Sequence, residues 1–314
     1  MKRLGFFILL FAAALTASAQ IRIATPNTEM VLSAEQGKTL KIQYFGARLS
    51  DADLANLQAA GVPDHNAYQP YGFNCASEPA FAATHCDGNM STVLTVESIS
   101  KAEEPTAEVT RIRLKDTVYP LYVTVCYRAY KDVDMIETWT EIENLEKKPV
   151  TLTRFDSGYL PVRVGDVWLS HLHGTWAAEG RLVQEPLDRG MRVIKNKDGS
   201  RNSHTDHAEV MFSLDGKPQE NSGRVIGAAL CYSGNYELRI DTKDTDYHEF
   251  FAGINPDNSA YILASKEVFK TPELALTYSD EGLSGASRNF HRWGRKYKLA
   301  HGDKERKILL NSWE

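Results

Sequence analysis

Tyr119-Pro120-Leu121-Tyr122-Val123-Thr124-Val125-Cys126-Tyr127-Arg128 is the stretch on which the fold turns. Tyr119, Leu121, Val123, Val125 and Tyr127 fall on one side of an extended chain, and Tyr122, Thr124, Cys126 and Arg128 on the other. A period of two belongs to a strand and not to a helix. One face suits burial and the other can meet a second layer. Further on, Ile136, Thr138, Thr140 and Ile142 alternate with Glu137, Trp139, Glu141 and Glu143. The turn Glu146-Lys147-Lys148-Pro149 then leads into Val150, Leu152 and Arg154 against Thr151, Thr153 and Phe155, and the spacing predicts a hairpin. Strand runs also occur at Arg111 to Leu114, Val167 to Leu172, Glu209 to Leu214, Val225 to Tyr232, Tyr236 to Asp241 and Tyr261 to Ala264. Turns such as Leu214-Asp215-Gly216-Lys217-Pro218 and Asn255-Pro256-Asp257-Asn258 separate them. So many strands with so few helices predict a mainly β chain, a large antiparallel sandwich.

Two helices interrupt the pattern. Ser50-Asp51-Ala52-Asp53 has the hydroxyl and the acid of a capping box, before Leu54 and Leu57, and Gly61 closes a short surface helix. The second runs from about Ser284 to Leu299, with Phe290, Trp293 and Tyr297 on one face and Arg288, Arg292, Arg295 and Lys296 elsewhere. It is expected to dock between the sandwich and whatever follows. Gly302 and Asp303 break it, and Lys307-Ile308-Leu309-Leu310-Asn311 reads as the start of a buried strand.

The first residues have a different character. Lys2 and Arg3, the apolar run Phe6 to Leu15, and Ala17-Ser18-Ala19 before Gln20 together read as a secretory signal peptide, with cleavage expected near Ala19-Gln20. The apolar run is too short to span a bilayer, and no later stretch approaches that length. The mature chain is therefore expected in the periplasm or secreted. Without Lys2 and Arg3 it has 34 basic against 41 acidic residues, a formal −7, which argues against nucleic acid or an anionic membrane as partner. Four cysteines in an exported chain permit disulfides, and Cys75 with Cys86 is the only close pair. Cys126 and Cys231 sit in strand patterns and read as small buried hydrophobes. The expected organisation is a signal peptide over 1–19, a sandwich over 20–283, a helical linker over 284–306 and the start of another domain over 307–314.

Candidate chemistry concentrates between Gly174 and Arg201. Trp176 with Glu179 and Arg181 places an indole beside fixed charges, as sugar-ring binding requires, followed by a Leu/Val hairpin and a Gly/Ser/Asn loop ending at His204. A Trp packed in the core at a sheet rim is the competing reading. His171-x-His173 and His204-x-x-His207 with Asp206 suggest a metal, but the strand supplies no third ligand and Asp206 reads as part of a polar loop. No metal or cofactor is expected. No nucleophile elbow occurs, and the Glu137/Glu141/Glu143 run reads as a solvated strand face, so no catalytic residue is assigned.

Several blocks together resemble a known family. They are Tyr44-Phe45-Gly46-Ala47-Arg48 with Asp51 and Asp53; Tyr68-Gln69-Pro70-Tyr71-Gly72 with Pro79-Ala80 and Asp87-Gly88-Asn89; His173-Gly174-Thr175-Trp176-Ala177; Gly199-Ser200-Arg201; Asn221-Ser222-Gly223 through Asn235; Gly253-Ile254-Asn255-Pro256; Phe269-Lys270-Thr271-Pro272-Glu273; Asn289-Phe290-His291-Arg292-Trp293; and Leu310-Asn311-Ser312-Trp313-Glu314. In this order they resemble the N-terminal part of the family-36 glycoside hydrolases, the bacterial α-galactosidases. The resemblance implies a β-supersandwich joined by a helical linker to a (β/α)8 barrel that carries a nucleophilic and an acid/base aspartate. A barrel needs ~250 residues, and seven follow Lys307. The expectation is therefore that the chain ends on the first barrel strand, lacks the catalytic pair and is inactive alone.

The same resemblance makes Trp313 part of the wall of a galactose subsite. Asp51 or Asp53 becomes an acid reaching a neighbouring subunit's site in a homo-oligomer, with α-galactosides as substrates. Phe45 stands where many members have Trp, no Arg lies between Asn74 and Glu78, and His173-Gly174-Thr175-Trp176 replaces Gly-Asp-Trp. A stand-alone carbohydrate-binding sandwich and an inactive truncated product are the alternatives.

Overall fold

Alternation becomes pairing along the whole length of the stretch quoted above. In the computed structural model, which describes residues 19–60, 65–72, 77–201, 204–257 and 259–312, Leu121–Tyr130 is one strand, hydrogen-bonded on both sides to antiparallel neighbours. The chain opens with β1 (Ala19–Ala24), β2 (Thr28–Ala34), β3 (Lys41–Ala47) and the surface helix α1 (Asp51–Ala59). β4 (Phe81–Thr84), β5 (Leu94–Glu103), β6 (Ala107–Asp116), β7 (Leu121–Tyr130) and β8 (Ile136–Asn144) follow. Next come β9 (Val150–Val162), β10 (Trp168–His173), β11 (Arg181–Pro186), β12 (Gly190–Lys195) and β13 (Asp206–Ser213). β14 (Val225–Leu230), β15 (Tyr236–Asp244), β16 (Tyr247–Ile254), β17 (Tyr261–Leu263), β18 (Val268–Lys270) and β19 (Leu274–Ser279) complete the strands. α2 (Gly282–Trp293) then passes into a π-helical turn at Gly294–Lys298.

All the ladders between these strands are antiparallel and they form three sheets. The largest runs β11-β10-β13-β14-β19-β8-β7-β6-β5, with β18 also on β8; the second runs β12-β15-β16-β9-β17, with β4 also on β9; β1-β2-β3 form the third. One continuous apolar core joins them, with Leu121, Val123 and Val125 from the first sheet, Leu160, Leu238 and Phe250 from the second, and Ile23 and Leu32 from the third. This is the expected antiparallel β-supersandwich, with its helix at the C-terminal end.

Both expected hairpins are absent as hairpins. β8 lies in the large sheet and β9 in the second, so the chain crosses the core between them. Buried Asn144 holds that arch through Lys148 O at 3.1 Å and Leu263 O at 3.0 Å, while the Glu146 carboxylate receives His85 at 2.7 Å and the Cys86 N–H at 3.1 Å. Likewise β11 pairs with β10 and β12 with β15, which places the Leu/Val pair at neighbouring edges of different sheets.

α2 docks as its apolar face requires. Trp293, Phe290 and Tyr297 pack on Tyr130, Val133, Met135 and Ala275. Gly227 in β14 makes room for it, since a Cβ there would come within 2.6 Å of the Phe290 ring. The segment after the helix differs from expectation. Residues 307–311 form no strand among the described residues, and Ile308, Leu309 and Leu310 are 101%, 89% and 87% exposed. A strand exists only where a neighbouring strand pairs with it, and among the described residues no ladder reaches this segment.

Candidate functional site

The turn between β10 and β11 is built by its glycines. Gly174 has no room for a side chain, because a Cβ would meet Ala178 O and Glu179 Cα at 2.6 Å. Its N–H donates to Thr205 O at 2.7 Å. Ala177 takes a left-handed φ of 60°, held by its own N–H donating to Glu179 Oε1 at 3.0 Å. The turn is thereby tight enough to throw Trp176 outward, 78% exposed. The core reading of Trp176 is overturned.

Beneath the indole the strands line up charge. His173 is directly opposite Arg181 on one side and Asp206 on the other, so the three share a row on one face. His173 Nδ1 lies 2.8 Å from Asp206 Oδ1, and His204 Nε2 lies 4.0 Å from Glu179 Oε1. Asp206 is the first residue of β13 and not part of a loop, which corrects the sequence reading. An exposed ring beside acid, imidazole and guanidinium groups can stack on a sugar and bond its hydroxyls. Among the described residues, no group of three or more His, Cys, Asp or Glu is placed to hold a metal.

The two α1 acids are held differently. Asp53 completes the capping box, accepting from the Ser50 N–H at 3.2 Å and from the Ser50 hydroxyl at 2.6 Å. Those bonds hold its carboxyl below the usual carboxylate range. Asp51 is fully exposed, and Arg22 lies 3.6 Å from it. Arg22 and Glu29 in turn anchor the approach to α1, since Glu29 Oε2 accepts from the Leu49 N–H at 2.9 Å. Asp51 is therefore the more open of the two acids, whereas Asp53 has spent most of its capacity on the cap. The structure does not bring Asp51 and Asp53 together with Trp176: they sit on α1, which follows β3 of the three-stranded sheet, whereas Trp176 lies between β10 and β11 of the large one. Trp313, Gly61 and Cys75 lie outside the described residues, and Cys86 is a free exposed thiol.

Sequence reasoning missed a buried ionic cluster on the second sheet. Arg239 Nη2 donates to Asp156 Oδ2 at 2.8 Å and to Pro79 O at 3.0 Å, and Nη1 to Glu78 Oε2 at 3.1 Å. Glu237 lies 3.1 Å from both Arg239 and Arg154, and the Arg239 guanidinium sits 4.5 Å from the centre of the Phe251 ring. Burial pushes the Asp156 carboxyl up, opposed by Arg239 and Arg154. The alternation Glu237, Arg239, Asp241 looks solvent-facing in sequence, and only the fold shows that the chain before β4 covers it.

The Glu137/Glu141/Glu143 face is also not simply solvated. It is a ladder, with Arg128 to Glu137 at 2.9 Å, Arg111 to Glu141 at 2.8 Å and Arg113 to Glu143 at 2.7 Å, the first two arginines over buried Trp139 and the third over Tyr122. A groove of about 670 Å³ separates α2 from β10, β13 and β14, with His171, Met211 and Phe290 in its walls.

Comparison with known proteins gives this architecture its relatives. The family model for the glycosyl hydrolase family 36 N-terminal domain matches residues 38–264, and the Melibiase model matches residues 268–314. Alpha-galactosidase AgaA of Geobacillus stearothermophilus is 32% identical over 214 residues, covering 67% of this chain and 29% of AgaA. The crystal structure of alpha-galactosidase AgaB from the same organism is similar with a TM-score of 0.85 at 25% identity, over 97% of this chain and 46% of that one. A variant of AgaA solved in complex with stachyose gives a TM-score of 0.83 at 24% identity, over 92% of this chain and 45% of that one. This chain thus spans less than a third of the length of the curated relative and under half of the solved chains.

Proposed function

The chain belongs to glycosyl hydrolase family 36 through that family's N-terminal domain, and from this premise we propose that it serves as the sandwich and linker of an exported α-galactosidase. In this reading a following barrel carries the two aspartates, and hydrolysis of terminal α-linked galactose proceeds with retention. Substrates are galactosides of the melibiose and raffinose type. The sandwich orients the barrel, makes contacts between subunits and lends loop residues to the site, Asp51 first among them because it is fully exposed and held only by the long 3.6 Å contact with Arg22 that the structure gives it. Export rests on the Lys2-Arg3 and Phe6 to Leu15 pattern.

The observation that carries the reading is the succession of the two family matches, 38–264 and then 268–314, the second beginning at β18 and taking in β19 and α2. The test is an assay of the 314-residue chain against a nitrophenyl α-galactoside, beside sequencing of the reading frame past codon 314. No nitrophenol release and an open frame with downstream aspartates support the proposal. Robust turnover by the 314 residues alone sinks it.

A second reading, sugar binding by the sandwich itself, has the exposed Trp176 in its favour. Loss of galactose binding in Trp176→Ala, with unfolding unchanged, is its signature.

A further inference from the structure

β3 runs toward α1 past β19 and α2 without pairing with either. The seam it leaves encloses a polar cavity of about 450 Å³, walled by Arg48, Asp134, Tyr278, Asp280, Arg288 and Arg292 among others. That volume falls in the range of roughly 300–1,000 Å³ occupied by small-molecule sites, but those are mostly lined by apolar groups and this one is not.

The charges decide the class of ligand. Arg288 is paired with Glu281 at 2.6 Å, and Asp134 accepts from the Asn27 N–H at 2.6 Å and from the Thr25 hydroxyl at 3.0 Å. The Arg48 guanidinium donates to Thr25 O at 3.3 Å, and among the described residues no ion pair joins Arg48, Arg292 or Asp280 to a partner. Arg48, Arg288 and Arg292 thus face Asp134, Asp280 and Glu281 across one space, with no net charge. A phosphate or carboxylate ligand calls for an excess of guanidinium, and an apolar ligand for neither sign. A polyhydroxylated ring uses both, because each hydroxyl donates to a carboxylate and accepts from a guanidinium. Tyr278 adds the aromatic wall such rings pack on. Tyr278 also lines a separate cavity of about 270 Å³ with Tyr44, Phe45, Arg163 and Arg224.

We infer that this seam is a second sugar-binding site, taking a neutral mono- or disaccharide and separate from the Trp176 turn. It rests on the carbohydrate reading of the chain, and it gives Arg48, at the end of the Tyr44-Phe45-Gly46-Ala47-Arg48 block, a ligand-binding role.

The test is titration of the 314-residue chain with melibiose by calorimetry and saturation-transfer NMR, for the native chain, Arg48→Gln, Arg292→Gln and Trp176→Ala. Arg292 is on the exposed face of α2, so its variant reads the site even where Arg48→Gln fails to fold. The expected result is at least tenfold weaker melibiose binding in Arg292→Gln with an unchanged melting temperature, and a melibiose signal that persists in Trp176→Ala. Binding that disappears in Trp176→Ala and is indifferent to Arg292→Gln overturns the seam site while leaving the family function standing. No melibiose binding by the native chain, or displacement of melibiose from it by inorganic phosphate, overturns it as well.

Discussion

Asp156 and Arg239 show how much of this molecule is decided by single buried groups. Each is almost wholly enclosed, and the guanidinium is the main partner of the carboxylate at 2.8 Å. Replacing Arg239 with Ala leaves Asp156 and Glu237 buried without their counter-charge, a change that costs on the order of 3–5 kcal/mol. Urea unfolding should show that loss, and Arg239→Lys should recover only part of it because one ammonium cannot serve Asp156, Glu78 and Pro79 together. Histidines set the pH response. Burial holds both His171 and His248 below the ordinary imidazole value of 6.5, with Glu185 and Asp206 pulling His171 the other way. The unfolded chain takes up those protons more readily, so stability is full above pH 6.5 and falls as the pH drops below it. Melting temperature followed downward from pH 7 should decline, and His171→Gln with His248→Gln should flatten the slope. Asp156, whose carboxyl is raised from 3.8, acts in the opposite sense over its own window: its neutral form is favoured in the fold, and stability falls as the pH rises through it. None of this was legible in the sequence, where Glu237, Arg239 and Asp241 alternate as solvent-facing residues do.

At the scale of the elements, β7 and its alternation were legible because one face is buried and the other only partly covered. β2, β16 and β19 were not, since they are buried on nearly every residue and show no period of two. The hairpin expected after β8 failed for a related reason. A turn such as Glu146-Lys147-Lys148-Pro149 serves equally to return a strand beside itself or to arch over the core, and the choice lies with Asn144 and Glu146, whose partners are distant in the chain. α1 was legible down to its cap because capping is local. The apolar face of α2 was legible too, but its landing place was not. Gly227→Ala tests that landing: the added methyl meets Phe290 at 2.6 Å and Thr277 Cγ2 at 3.0 Å, and overpacking of this kind costs about 1–3 kcal/mol. Faster amide exchange confined to α2 and β14 is the expected signature, and Phe290→Leu in the same chain should relieve it.

Across the whole molecule the candidate site was legible only in pieces. Trp176 and Asp51 were named from residue type and motif, while the row of Arg181, His173 and Asp206 needed three strands to assemble. The run Ile308-Leu309-Leu310 stands in solvent, three large apolar side chains in succession. The 314-residue chain should therefore self-associate at high concentration in sedimentation experiments, and Ile308→Ser with Leu310→Ser should reduce the associated fraction severalfold.

β19 bears on how the protein is made. Among the described residues it is the strand that joins β14 to β8, so the large sheet is expected to stay in two separate leaves until Leu274–Ser279 has been synthesised and laid between them. A nascent polypeptide held on the ribosome short of that point carries two raw margins at once. It is there that a chaperone has most to shield, and a protease cutting ahead of Leu274 would release a product that clumps.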